Sequence, residues 1–176
     1  MSRRTTLRNA LSLLVLALAG CQLSKPFDLD RDVEIDESHG QSVALLFHLD
    51  LAEAGPLRDA PSALSLESVD VTVTQVDTAA GANDVRSVNG ELRLRPDGAV
   101  DDSQDVAVGR FAGLTMTPGA TAHLPGNSEV GKLLLAAHHG NGRFKAAVAL
   151  ELEGGHEAHL VLWISLHASA DYGTGP

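Results

Sequence analysis

Eight histidines, 23 acidic residues and a single cysteine are the groups in this 176-residue chain with the chemistry to hold a metal or drive a reaction. The histidines are His39, His48, His123, His138, His139, His156, His159 and His167. Their spacing argues against a transition-metal centre. Adjacent His138 and His139 diverge by roughly 100° on a helix and point to opposite faces of a strand. His159 and His167 share strand parity, but eight residues of extended chain separate them by ~26 Å. His48 and His159 could meet only if their strands were neighbours. The chain has no His-Glu-x-x-His and no second cysteine, so the usual zinc frameworks are absent.

The carboxylates are more ordered. Asp28, Asp30, Asp32, Glu34 and Asp36 recur at every second residue, with Phe27, Leu29, Val33 and Ile35 between them. In an extended chain alternate residues share a face, so one face is all carboxylate and the other mainly apolar. The expectation is an edge strand with a solvated acidic side, whose charges also discourage aggregation. Oxygen ligands of this kind would suit calcium, yet no glycine stands at the sixth position from Asp28 and the twelfth is His39. The five also spread over ~26 Å, so two or three at most could reach one ion, even with help from a loop such as Asp101-Asp102. No metal site is assigned; the residues that come nearest to one are Asp28, Asp30, Asp32, His48 and His159. Gly-x-Ser-x-Gly, a phosphate-binding Gly-Lys-Ser/Thr loop and a dinucleotide glycine signature are all missing. We assign no catalytic residue and no cofactor, and expect no enzyme.

The elements that must position these groups read as strands separated by turn chemistry. Val43, Leu45, Phe47, Leu49 and Leu51 alternate with Ala44, Leu46, His48 and Asp50. Gly55-Pro56 and Pro61 break the chain before Val69, Val71 and Val73, a β-branched run suited to a half-buried strand. Asn89-Gly90 is the dipeptide that most readily takes positive φ at both turn positions, so Val85 to Arg95 is expected to be a tight hairpin, ended by Pro96-Asp97-Gly98. A strand follows from Val106 towards Met116, closed by Pro118-Gly119. Between Asn127 and Gly142 two patterns fit. Val130, Leu133, Leu134 and Ala137 share a helical face, with Asn127 or Ser128 as cap and Gly140 as stop, while Leu133, Leu135 and Ala137 would share a strand face. We expect a short helix over 128–139, although Gly131 weakens it. Phe144, Ala146, Val148, Leu150 and Leu152 form one apolar row, and Leu160, Leu162, Ile164, Leu166 and Ala168 another. With Gly154-Gly155 between them they read as a long hairpin, the rows packing together or onto a facing sheet. Seven or eight short strands predict an all-β fold: an antiparallel β-sandwich, immunoglobulin-like or a related Greek key, with a small β-barrel as the alternative.

The first 21 residues have another purpose. Arg3, Arg4 and Arg8 precede an apolar stretch from Leu11 to Ala19, which closes on Leu18-Ala19-Gly20-Cys21. This is too short for a stable bilayer-spanning helix, which takes roughly 20 apolar residues, and it has the pattern of a cleaved export signal. A retained anchor, or an ordinary signal with a chance cysteine, is the competing reading. Leu18-Ala19-Gly20-Cys21 resembles the lipobox of bacterial lipoproteins. That resemblance implies cleavage between Gly20 and Cys21 and diacylglycerol on Cys21, which is the chain's only cysteine. Gln22, in place of the Asp linked to inner-membrane retention, implies the outer membrane, facing the periplasm or the exterior. Ser2-Arg3-Arg4-Thr5-Thr6-Leu7-Arg8 also resembles a twin-arginine export signal, with Thr6 where that family prefers Phe and Arg8 where it prefers Lys.

The sequence thus divides into a signal over 1–20, a lipidated cysteine with an acidic tether or edge strand over 21–40, one sandwich domain over 41–172 and a tail over 173–176. The exported part holds ten bases against 23 acids, a net charge of −13. Such a surface repels nucleic acid and anionic headgroups alike, so attachment must come from the lipid. Only six aromatic residues are present, Phe27, Phe47, Phe111, Phe144, Trp163 and Tyr172, which leaves an aliphatic core. The expected function is that of a membrane-anchored envelope lipoprotein acting as a structural or interaction module, with an envelope protein as partner. The alternative is a lipoprotein that binds a small ligand or a cation.

Overall fold

The computed structural model describes residues 23–38, 41–54, 57, 60–77, 79, 83–155 and 157–173. Residues 1–22, with Gly20, Cys21 and the rest of the expected export signal, together with His39, His156 and residues 174–176, lie outside the described residues. Two four-stranded antiparallel sheets face each other. Sheet A contains β1 (Leu23–Ser38), β3 (Ala63–Val76), β6 (Thr121–Pro125) and β8 (Glu157–Tyr172), in the order β1-β8-β3-β6. Sheet B contains β2 (Ser42–Asp50), β4 (Ser87–Pro96), β5 (Val106–Thr115) and β7 (Arg143–Glu153), in the order β2-β7-β4-β5. The chain changes sheet at almost every connection, and among the described strands only β4 and β5 are both consecutive and paired. This is the β-sandwich expected, in its Greek-key form: eight strands wound as a jelly roll and not closed into a barrel.

The alternation of apolar residues explains the layering. Each sheet turns one row per strand into an apolar core. From sheet A come Leu29, Ile35, Val71, Leu162, Ile164 and Leu166; from sheet B come Leu49, Leu92, Leu94, Phe144 and Leu150. Strand β1, read as tether or edge strand, is built into the sandwich, with Phe27, Leu29, Val33 and Ile35 buried. In β3 the buried parity changes from Leu64 and Leu66 to Val69, Val71 and Val73, across a register shift between Leu66 and Ser68.

Two expectations about connection fail. Asn89-Gly90 is no turn: it lies inside β4, which is hydrogen-bonded to β7 and β5 on its two sides. Gly90 is there for space, because a Cβ at that position would overlap the Phe111 ring from β5. The Asn89 side chain is used across the sheet, accepting from the Gly113 amide at 2.8 Å. The C-terminal hairpin is also absent. β7 belongs to sheet B and β8 to sheet A, so Gly154-Gly155 carries the chain from one sheet to the other, with Gly154 at φ +89°. The two apolar rows do pack on each other, across the core and without hairpin hydrogen bonds.

The ambiguous segment is a helix, α1 (Ser128–His139). Asn127 caps it by accepting the Glu129 amide at 2.9 Å, and Gly140 ends it. Val130, Leu133 and Leu134 are buried, as the helical spacing implied. Gly131 has a reason here: a Cβ would overlap the carbonyl oxygen of Leu64, so its absence lets α1 lie directly on β3.

Candidate functional site

The outer face of sheet A gathers more titratable groups into contact than any other part of the described structure. It follows from strand parity: every outward position of β1 from Asp28 to Asp36 is acidic, and the outward positions of β8 include His159, Trp163, Ser165 and His167. Register then decides who meets whom. Asp28 pairs with His167, Asp30 with Ser165, Asp32 with Trp163 and Asp36 with His159.

The contacts are consistent with that register. His167 Nδ1 is 2.8 Å from Asp28, and its Nε2 is 3.4 Å from Asp70 on β3. Asp70 in turn meets His123 Nδ1 on β6 at 2.7 Å. Asp28, His167, Asp70 and His123 therefore make an alternating ladder of carboxylate and imidazole across all four strands. A histidine can donate from both ring nitrogens only as imidazolium, so the two carboxylates facing His167 favour its charged form. The Asp28 contact, aided by Asp70, raises the His167 pKa above its ordinary 6.5. Hydrogen bonds from His123 and then His167 hold Asp70 below its ordinary 3.8.

Further along β1, Ser165 donates to Asp30 at 2.5 Å, and His159 Nδ1 is 2.7 Å from Asp36. Among the described residues Asp32 and Glu34 have no side-chain partner. Next to Asp32 stands Trp163, the chain's only tryptophan, with 44% of its surface exposed.

The residues nearest to a cation site by sequence are dispersed by this geometry. Asp28 and Asp30 are each engaged by a neighbour on β8 and Asp32 stands beside Trp163. His159 is at the far end of the row, beside Asp36. His48 belongs to the other sheet, on β2, and faces Asp97 at 3.5 Å. Asp101 and Asp102 do not approach the acidic row; they lie beyond β4, on the side of sheet B, where both act on Arg95. Among the described residues no group of three or more His, Asp or Glu could hold a metal ion.

Sequence reasoning identified the acidic row but missed the ladder. Its members were visible as outward positions: Asp70 between Val69 and Val71, His123 beside Leu124, His167 between Leu166 and Ala168. What parity could not give is that β8 lies between β1 and β3. Sequence reasoning also missed a groove of about 390 Å³ between α1 and the edge of sheet B. Val106, Leu133, Ala136 and Ala137 form its apolar floor. Both cations on its rim are occupied, Lys132 by Glu129 at 2.7 Å and Arg143 by Asp50 at 3.3 Å.

No known family matches this chain. No curated protein matches its sequence either. Solved structures of similar shape include the decameric BFDV capsid protein, with 8% identity, a TM-score of 0.43, and coverage of 84% of this chain and 99% of that one. The 60-mer BFDV capsid protein has 8% identity and a TM-score of 0.45, over 89% and 98% of the two chains. Cocksfoot mottle virus has 10% identity and a TM-score of 0.42, over 86% and 95%. Likeness at this level carries no argument about what the present chain does.

Proposed function

We propose that this chain is a lipid-anchored lipoprotein of the bacterial cell envelope, whose sandwich serves as an interaction module and not as an enzyme. The observation that carries the reading is Leu18-Ala19-Gly20-Cys21 after a basic and then an apolar segment, with the chain's only cysteine at the junction.

The fold supports it in two ways. Only Gln22 separates Cys21 from Leu23, the first residue of β1. Two residue steps span at most ~7 Å, so a lipid on Cys21 would seat the sandwich directly on the bilayer by that end of sheet A. The residues there suit a headgroup region. Leu23 is exposed, and the Lys25 ammonium lies 4.8 Å from the centre of the Tyr172 ring. Aromatic and long basic side chains settle at such interfaces. Along β1 the carboxylates begin only at Asp28, with Asp171 of β8 the one acid in register with that end, and with a net charge of −13 on the exported chain the rest of the body is repelled from anionic lipid. The acidic face of sheet A then rises from the membrane, open to a partner in the envelope.

Cell fractionation tests the anchor. Wild-type protein should sediment with membranes, and the Cys21→Ala variant should appear in the soluble fraction or keep its signal. A Cys21→Ala protein that is processed and still sediments with membranes would overturn the reading.

A further inference from the structure

Strand β1 has an unused side. Over its 16 residues it is hydrogen-bonded to β8 on one side; no described residue pairs with it on the other, although the turn Leu51–Ala54 comes close to it. A free edge of this length offers a row of unmet N–H and C=O groups that another extended chain can complete. The side chains of β1 determine which chain that is. A strand added there would place every second residue opposite Asp28, Asp30, Asp32, Glu34 and Asp36, and oppositely charged cross-strand pairs stabilise while like charges destabilise. A second copy of β1 in the same position would set carboxylate against carboxylate, so the row excludes self-pairing. Neutral strands gain nothing from it. A basic strand satisfies the backbone and the carboxylates together, above all Asp32 and Glu34, which lack side-chain partners among the described residues.

We propose that the free edge of β1 binds an extended segment of an envelope protein by strand addition, the segment bearing lysine or arginine at alternate positions. This deepens the interaction-module reading and relies on it, though not on the lipid. Trp163, exposed and in register with Asp32, is a built-in reporter, since no other tryptophan is present.

The test uses the full chain extracted in detergent, titrated with three twelve-residue peptides and followed by Trp163 fluorescence and by calorimetry. One peptide alternates lysine and threonine, the second has the same composition with its lysines in blocks, and the third is the alternating peptide with N-methyl groups along one edge. The alternating peptide should bind saturably and at least about tenfold more tightly than the block peptide, a difference of ~1.4 kcal/mol. N-methylation should abolish that advantage, as should the double variant Asp32→Asn, Glu34→Gln, whose folding is verified by its melting curve. Equal affinity for the alternating and block peptides would mean diffuse charge attraction and overturn the proposal. So would binding indifferent to N-methylation, or none at all by either method. These results are independent of the Cys21 fractionation, so failure of the partner and failure of the anchor are told apart.

Discussion

Replacing His167 by glutamine should flatten part of the pH dependence of this protein's stability. His167 meets Asp28 at 2.8 Å and Asp70 at 3.4 Å, and the histidine and Asp70 side chains are each 36% exposed. Exposed ion pairs are worth ~0–1 kcal/mol after solvent screening, and the longer contact adds little, so about 1 kcal/mol is at stake for the cluster. The sign follows from linkage. His167 binds its proton more tightly in the folded state, so its contribution is full below the ordinary value of 6.5 and fades as pH rises through the raised one. Asp70 has the opposite behaviour. Its contribution is present above 3.8 and is lost as pH falls through its lowered value. The ladder is thus strongest between those two ranges, in mildly acidic solution. Urea denaturation of wild type and His167→Gln at about pH 5.5 and about pH 8.5 brackets the imidazole titration. Wild type should be more stable by about 1 kcal/mol at the lower pH, or ~2–4 °C in Tm for a domain of this size, and the gap should close at the higher pH. An equal gap at both pH values would refute a charged His167 held between Asp28 and Asp70.

Gly131→Ala should destabilise the domain by ~1–3 kcal/mol despite alanine's better helix propensity, because its methyl group would overlap the Leu64 carbonyl; a higher melting temperature would show that α1 can lift from β3. Leu150→Ala and Leu162→Ala should each cost ~2–5 kcal/mol in chemical denaturation, since both side chains are fully buried from opposite sheets; variants that unfold like wild type would contradict this core. Calcium and magnesium at matched ionic strength should shift the melting temperature alike, because three of the five β1 carboxylates are engaged by β8 side chains. A calcium-specific rise, lost on changing Asp30 and Asp32 to Asn, would reveal a site the geometry does not suggest.

The faces of the strands were legible in the sequence and their neighbours were not. Two-residue alternation in 28–36, 43–51, 144–152 and 160–168 identifies the buried rows, because a strand's parity is a local property. The helix at 128–139 was readable from its Asn127 cap, its Gly140 stop and its apolar spacing. Pairing is set by the whole sandwich, and there local rules misled. Asn89-Gly90 has the chemistry of a turn, but Phe111 from β5 needs the space above Gly90, and Asn89 is satisfied by Gly113 and Glu153. Gly154-Gly155 looks like a hairpin tip, yet burying both apolar rows face to face puts β7 and β8 in different sheets. The short strand β6 (Thr121–Pro125) has too few residues to announce itself, and with it the His123 end of the ladder stayed hidden. The acidic row on β1 was visible from its spacing; that histidines on β8 would meet its first and last members was not.

In the function proposed here, Cys21 carries the lipid holding this sandwich at a membrane. Intact-mass and peptide mass spectrometry of protein extracted from membranes tests it most directly. The mature chain should begin at Cys21, with a diacylglyceryl group on that cysteine. A membrane-extracted chain with an unmodified Cys21, or one still carrying residues 1–20, would contradict it.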